Sequence, residues 1–160
     1  MLVRKNIYSN SKFGSNANYP NGTLDNLIKT TIYNEMPKKL RDKMMDVTFN
    51  LYDSGYITRK MFALTYTMMG FGNNGVAEGK KLQLYTSYAN KVKTFNGSAA
   101  GWWLSSWRTS DGAWGVSKDG YADYHYTVSA TAGVVPAFAI PSETPYNATP
   151  NTDGSYNLIL

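Results

Sequence analysis

The segment from Gly120 to Gly133 holds the densest set of side chains that could recognise a ligand. Successive residues of a strand point to opposite faces, so one extended register would place a polar and aromatic row on a single face. Tyrosine offers a large contact area at low entropic cost, and Asp, His and Thr adapt their hydrogen bonds to a partner. We therefore predict a recognition surface on one face of this segment. One face would carry Tyr121, Asp123, His125 and Thr127, and the opposite face would carry Ala122, Tyr124, Tyr126 and Val128.

The loops between about Ser105 and Thr131 are expected to present this surface. The preceding tryptophan, arginine and aspartate complete the candidate set, since aromatic and Arg side chains supply much of the binding energy at protein interfaces. The predicted ligand-binding residues are Trp107, Arg108, Asp111, Tyr121, Asp123, Tyr124, His125, Tyr126 and Thr127.

Catalysis is not expected from these residues. His125 is the only histidine and the chain has no cysteine, so local sequence assembles neither a nucleophilic triad nor a metal site. Asp111, Asp119 and Asp123 occur in turn-prone sequence, where aspartate is favoured for its own backbone hydrogen bonds. Hydrolysis by paired carboxylates stays open as an alternative that no pair of residues selects. We expect no cofactor and no metal.

Composition limits the classes of protein to which the chain can belong. Its 160 residues, 42% hydrophobic and 17% charged, suit one folded domain. Residues 1–100 hold 14 Lys and Arg against 6 Asp and Glu, whereas residues 101–160 hold 2 against 5. All four tryptophans follow the basic half, so aromatic and basic residues do not interleave as in a single-strand nucleic-acid binder. We expect no nucleic-acid partner, and no apolar run reaches the roughly 20 residues of a membrane span.

Helices are predicted in the first half of the chain. Apolar residues recur at spacings of three and four after Thr23, which would serve as N-cap of a helix reaching about residue 35. Two further amphipathic patterns indicate helices over about 37–46 and 79–92. The glycine-rich stretch Gly70–Gly75 lacks the spacing of a phosphate-binding loop and is interpreted as a turn.

Strands are predicted mainly in the second half, which has alternating short runs and turn signals. Val47–Leu51 and Lys60–Thr65 are expected as earlier strands. The later strand-like runs are Trp102–Trp107, Ala113–Ser117, Tyr121–Val128 and Gly133–Ile140, of which the first, second and fourth are expected in one antiparallel sheet. This order of elements predicts an α+β domain over residues 1–140, with two or three helices on an antiparallel sheet, and an extended tail over 141–160.

Several ordered motifs resemble a known family. GWWLSSW, then VSKDG, then GVVPAFAI is similar to the WWLRSP, V-x-x-x-G and GVRPA signatures of a domain family of unassigned function, common in phage tail proteins and Gram-positive surface proteins. Upstream, LVRKNIYSNSKF, NYPNGTLDNLI and MFALT resemble that family's opening segment, first helix and next strand. The family resembles in turn the C-type-lectin-like fold, including the variable proteins of diversity-generating retroelements.

The chain departs from the family pattern at two positions. Ser105 stands where the family has the arginine of WWLRSP, and Val135 stands where it has that of GVRPA. Any role of those arginines is therefore not transferred. The chain also lacks the cysteines of the enzymatic branch of this fold and the Glu-Pro-Asn and Trp-Asn-Asp motifs of calcium lectins.

The resemblance implies a non-enzymatic binding domain with a C-type-lectin-like fold on a phage tail or similar appendage. It would attach to a host-surface glycan or protein and contact other virion proteins, and homo-oligomer formation stays open. Such a domain would be made in the host cytoplasm and reside in the virion, or alternatively on a bacterial surface. Two other functions stay open: a structural tail or head decoration component without a host ligand, and a hydrolase acting on cell-wall polymers.

Overall fold

The structure is a computed structural model that describes residues 1–123, 126–149, 151–152 and 157–159. Strands account for 34% of the chain and helices for 13%. The strands are short: β1 (Leu2–Val3), β2 (Ser9–Lys12), β3 (Val47–Leu51), β4 (Gly55–Arg59), β5 (Met61–Ala63), β6 (Lys93–Phe95), β7 (Ser98–Ala100), β8 (Trp102–Thr109), β9 (Gly112–Val116), β10 (Ala122–Asp123), β11 (Thr131–Val134) and β12 (Pro136–Phe138).

These strands form several small sheets in the described part of the chain. The largest has the order β10-β9-β8-β11-β2, and a second has the order β1-β12-β5. β3 pairs with β4 and β6 with β7 as separate hairpins. The turn of the second hairpin is Asn96-Gly97, both with positive φ, which is the pair that two-residue hairpins favour.

The predicted C-type-lectin-like α+β fold is wrong. The chain is mostly β, with one helix of 13 residues and multiple small sheets in place of two or three helices on one antiparallel sheet. The expected single antiparallel sheet is wrong as well, because β11 runs parallel to β8 and β12 belongs to the other large sheet. Alternating apolar residues predicted β3, β8 and β9, but sequence periodicity carries no information on which strands pair.

Helix α1 covers residues 23–35, as predicted. It is α-helical over Thr23–Asn26, π-helical over Leu27–Ile32 and α-helical again over Tyr33–Glu35, with Gly22 as N-cap in place of Thr23. Its inward carboxylate, Asp25, is fully buried and receives two bonds from the Arg59 guanidinium, at 2.9 and 2.7 Å. The pair joins α1 to β4. Helix α2 is only Lys38–Arg41, much shorter than the predicted 37–46.

The helix predicted over 79–92 is wrong, since only Ala89–Lys91 is helical and forms a single 3-10 turn. Gly79 has a φ of +97°, which begins the segment in a non-helical conformation. Backbone bonds then tie the segment to a preceding loop, as where the Leu82 amide donates to the Met68 carbonyl at 2.9 Å. Some apolar residues of segment 79–92 therefore pack inward one by one from an irregular backbone, although their spacing resembles that of a helix.

The adjacent tryptophans of β8 fix the centre of the molecule, and both are fully buried. The indole of Trp103 packs edge-on against Phe13 and donates to the Ser11 carbonyl at 2.8 Å. The indole of Trp102 donates to the Lys91 carbonyl at 3.1 Å. The two side chains therefore anchor different segments on opposite faces of the sheet, as adjacent residues of a strand should.

The tail beyond residue 140 pairs with itself in its described residues. Tyr146 and Leu158 form an isolated antiparallel bridge, and the Ile159 amide donates to the Pro145 carbonyl at 2.8 Å. No helix among the described residues combines the length and apolar character needed to cross a bilayer.

Candidate ligand-binding cleft

A cleft of about 590 Å³ opens beside the largest sheet. Its walls come from the loop after β5, from the irregular segment 81–91 and from the residues leading into β10. Five of its lining residues are aromatic and two are lysines, and no acidic residue is among them. The aromatic cleft is lined by Tyr66, Gly70, Phe71, Lys81, Tyr85, Thr86, Ser87, Tyr88, Lys91, Tyr121 and Ala122.

Two exposed tyrosines form one wall of the aromatic cleft. The rings of Tyr88 and Tyr121 lie 4.1 Å apart, and the residues are 50% and 53% exposed. Gly120 sets this contact, because its φ is +87° and a Cβ there would lie 2.1 Å from the Tyr88 carbonyl oxygen. Only glycine allows the chain to approach so closely, so the sequence Gly120-Tyr121 presents a close, tilted tyrosine pair to solvent.

A lysine lies against two aromatic rings of the cleft, those of Phe71 and Tyr88. Lys91 is only 5% exposed, and its Nζ lies 5.0 Å from the ring centre of Phe71 and 5.2 Å from that of Tyr88. Its ammonium group also donates to the Ser87 carbonyl at 3.3 Å. Burial, and secondarily the charge of Lys81, lower the pKa of Lys91. A cation held among aromatic faces is stabilised by their negative quadrupoles.

A second aromatic group, here called the tryptophan flank, continues the surface beyond Tyr66. It consists of Tyr52, Trp107, Arg108 and Trp114. The ring of Trp114 lies 4.5 Å from that of Tyr66, and the Arg108 guanidinium lies 5.3 Å from the Trp114 ring centre. Trp107 stacks on Tyr52 at 5.4 Å and an interplanar angle of 26°. Aromatic side chains therefore extend from the cleft onto the hairpin of β8 and β9.

Buried Glu78 organises the tryptophan flank. Its carboxylate accepts hydrogen bonds from the Ser106 hydroxyl, from the Tyr52 amide at 3.4 Å and from the Asn74 side chain at 3.5 Å. Asn74 in turn donates to the Trp107 carbonyl at 2.6 Å and accepts from the Trp114 indole at 3.0 Å. Burial raises the pKa of Glu78, although the Ser106 bond opposes this effect.

Glu78 is positioned to support the fold and not to attack a ligand. It is fully buried, and both carboxylate oxygens accept hydrogen bonds from neighbouring groups. Ser106, its strongest partner, also accepts the Tyr66 amide at 2.7 Å and so fixes one wall of the aromatic cleft. The raised pKa thus reflects an interior carboxylate that holds aromatic residues in place.

Three of the predicted ligand-binding residues occur at this surface. Tyr121 lines the aromatic cleft. Trp107 and Arg108 belong to the tryptophan flank, where both are half-buried. Of the tyrosine wall the sequence singled out Tyr121 and not Tyr88, and the binding role of all three residues stays a prediction.

Asp111 and Thr127 lie elsewhere, at the far end of the β8–β9 hairpin. Gly112 forms an isolated bridge with Thr127, and the Asp111 side chain accepts a bond from Thr109 at 3.0 Å. Tyr121 adjoins the other end of that hairpin, since Ala122 pairs with Val116. At about 3.4 Å per residue, the eight-residue β8 separates the two ends by roughly 20 Å. Asp111 and Thr127 therefore lie at the hairpin end that also carries Trp107 and Arg108, away from Tyr121.

Tyr126 packs against the sheet and contributes to the fold. Its half-buried ring packs edge-on to Trp103 at 5.1 Å, over the backbone of two glycines. A Cβ at Gly101 would lie 1.7 Å from the Tyr126 hydroxyl, and one at Gly115 would lie 2.5 Å from its ring. Asp123 pairs with Gly115 in β10.

Tyr124 and His125 lie outside the described residues, so their predicted roles stay predictions. The strand predicted over Tyr121–Val128 is reduced, in its described part, to Ala122–Asp123 and the single bridge of Thr127.

Sequence reasoning missed most of the cleft. Phe71 lies in the stretch that was interpreted as a turn, Tyr66 directly follows a predicted strand, and the segment predicted to be helical contains Lys81, Tyr88 and Lys91. One available signal was the frequency of glycines there: Gly70, Gly72, Gly75 and Gly79 all have positive φ. Four glycines within ten residues indicate an ordered loop and not the beginning of a helix.

In the described ranges, no group of three or more His, Cys, Asp or Glu side chains is placed to hold a metal ion.

Comparison with known proteins adds a family but no function. No curated protein matches the chain, and no solved structure matches it. A family model described as a domain of unknown function (DUF6273) matches residues 1–142, and the chain therefore belongs to that family.

Proposed function

We propose that this domain is a non-enzymatic binding module that recognises a saccharide through the aromatic cleft. The observation that carries the proposal is the close, half-exposed pair of Tyr88 and Tyr121 rings, tilted by 34°, in the wall of an aromatic-lined cleft. The C–H face of a sugar ring packs on aromatic rings, while hydroxyl groups beside them accept and donate hydrogen bonds. Thr86 and Ser87 supply such groups in the lining.

The size of the cleft supports a small-molecule or oligosaccharide ligand. Its volume of about 590 Å³ falls in the range of roughly 300–1,000 Å³ that is usual for ligand pockets. Aromatic residues dominate the lining, with a few polar groups that can orient a ligand. A protein partner would instead require a broader and flatter contact surface.

The chemistry of the lining favours binding over hydrolysis. Glycoside hydrolysis requires two carboxyl groups on either side of the scissile bond. No carboxylate is among the described lining residues, and Glu78 nearby is fully buried and hydrogen-bonded. We therefore retain a non-enzymatic role, with a cell-wall hydrolase as the least favoured alternative.

The biological setting follows from the sequence resemblance alone. A domain similar to phage tail and Gram-positive surface proteins would use the cleft to attach to a host-surface glycan. The competing role is that of a structural virion component, which would need no saccharide at all.

A binding assay with two tyrosine variants tests the proposal. Fluorescently labelled domain is applied to a glycan array and to a panel of intact Gram-positive cells, as wild type, Tyr121→Ala and Tyr56→Ala. Tyr56 is the matched control, since it is 78% exposed and does not line the aromatic cleft. We expect saccharide and cell binding that falls at least tenfold in Tyr121→Ala and is unchanged in Tyr56→Ala. Absence of any saccharide binding, or equal loss in both variants, would overturn the proposal.

A further inference from the structure

The aromatic cleft carries positive charge that the described protein does not neutralise. Lys91 and Lys81 both line it, and neither forms an ion pair with a described residue. No acidic residue is among the described lining residues, and Asp123, two positions beyond Tyr121, is not one of them. The two ammonium groups repel each other, which contributes to the lowered pKa of Lys91.

Both lysines are held in place. The Lys81 side chain crosses Gly70, where a Cβ would lie 2.8 Å from the Lys81 Cε, and Gly70 has a φ of +74°. The Lys91 backbone is fixed by the Trp102 indole, and its Nζ lies between two aromatic rings. Holding a largely buried cation without a counter-ion is unfavourable, because desolvation disfavours the charged form. An anionic group in the cleft would relieve this cost.

We infer, on the basis of the proposed function, that the ligand is an acidic saccharide whose carboxylate, phosphate or sulfate group binds between Lys81 and Lys91. The sugar ring stacks against Tyr88 and Tyr121 while the anion occupies the cationic side of the cleft. Ammonium groups bind such anions as point charges, with charge-assisted hydrogen bonds of greater strength than neutral ones.

The experiment compares charged saccharides with neutral ones on the intact domain. The array contains acidic members (oligogalacturonate, sialylated and sulfated oligosaccharides, polyglycerol phosphate) and neutral matches, including methyl-esterified oligogalacturonate. Wild type is tested with Lys81→Gln, Lys91→Gln and Lys80→Gln. Lys80 is the matched control, because it is the adjacent exposed lysine and does not line the aromatic cleft.

We expect binding to be concentrated among the acidic members and to weaken with increasing salt. Lys81→Gln and Lys91→Gln should each lower affinity for the acidic ligand about tenfold, and Lys80→Gln should leave it unchanged. Lys81 is exposed, so its substitution tests the inference even if Lys91→Gln alters folding. The carboxylate, phosphate and sulfate arms then identify the anion.

Two other outcomes would overturn the inference in distinguishable ways. Equal binding of neutral and acidic members, lost in Tyr121→Ala but not in the lysine variants, would leave saccharide recognition standing and remove the anionic ligand. Absence of binding to any member would overturn both the inference and the proposed function.

Discussion

The indole Nε1 of Trp102 donates a hydrogen bond to the carbonyl oxygen of Lys91, at 3.1 Å. This bond joins the fully buried first residue of β8 to the backbone of Lys91, whose ammonium group lines the aromatic cleft. The tryptophan pair of the sequence thus contributes to the proposed site indirectly, by positioning a lysine 11 residues earlier in the chain.

Replacing Trp102 with Phe should weaken both stability and saccharide binding. The change leaves the buried Lys91 carbonyl without its donor and opens a small cavity, at a combined cost of about 2 kcal/mol in the free energy of unfolding. Denaturant unfolding and binding titration are the measurements. Trp103→Phe is the control, since it removes an equivalent bond to Ser11 on the other face. Its stability should fall similarly while binding stays near wild type, and equal loss of binding would contradict the positioning role.

Gly120→Ala should disrupt the tyrosine wall. The new Cβ would lie 2.1 Å from the Tyr88 carbonyl oxygen, so the two chain segments must separate. Gly97→Ala provides a control with a similar φ of +81° and open space around the Cβ, where only conformational strain of about 1 kcal/mol is expected. We expect a larger loss of stability in Gly120→Ala, together with loss of binding. Equal effects of the two substitutions would show that the contact with Tyr88 has no role.

Glu78 should make stability depend on pH on the acidic side. Burial raises the pKa of this carboxyl, so the folded state retains its proton at pH values where the unfolded chain, with an ordinary value of 4.5, has lost it. Stability attributable to Glu78 therefore falls as pH rises from about 4.5 through the raised pKa. Thermal unfolding between pH 4 and 8 should show this fall in wild type and in the exposed control Glu143→Gln. In Glu78→Gln the fall should shrink to the contribution of Asp53, whose pKa burial also raises, and an unchanged profile in that variant would contradict the assignment.

Lys93 should make the free energy of unfolding rise with pH in the alkaline range, opposite in sign to the effect of Glu78. Burial lowers its pKa to about 8, against 10.5 in the unfolded chain, so the unfolded state binds more protons between these values. Stability should rise by about 2 kcal/mol between pH 8 and pH 10. Above about pH 10 it should fall, because burial raises the pKa of Tyr19 and of Tyr85 above that of unfolded tyrosine.

The test of this rise is urea unfolding of Lys93→Met across pH 7–11, with the exposed Lys39→Met as control. The rise in stability between pH 8 and pH 10 should persist in the control. In Lys93→Met it should be smaller, because only Lys91, whose pKa is also lowered, still contributes to it. A full rise in Lys93→Met would assign the effect to other groups.

Local sequence patterns predicted some of the regular elements. The spacing of apolar residues predicted the helix over 23–35, and alternation predicted the strands of β3, β8 and β9 within a few residues. Adjacent tryptophans on a strand were expected on opposite faces, and the structure places Trp102 and Trp103 there. These features depend on residues close in sequence, whose geometry the backbone largely determines.

The arrangement of those elements and most of the cleft could not be predicted in the same way. Segment 79–92 has helical spacing, but its backbone bonds go to a loop more than ten residues earlier, as from Leu82 to Met68. Tyr126 resembled a recognition residue because nothing local reveals that it lies over Gly101 and Gly115. Both errors arise from long-range contacts that override local preference.

The most direct test of the central claim is to locate the bound saccharide by NMR. Ring ¹H–¹³C signals of the tyrosines are assigned and followed while an array-selected saccharide is added. We predict shifts concentrated at Tyr66, Tyr88 and Tyr121, with Tyr56 unchanged. Shifts centred on Tyr56, or no shift at the three cleft tyrosines despite binding, would contradict the assignment of the aromatic cleft as the binding site.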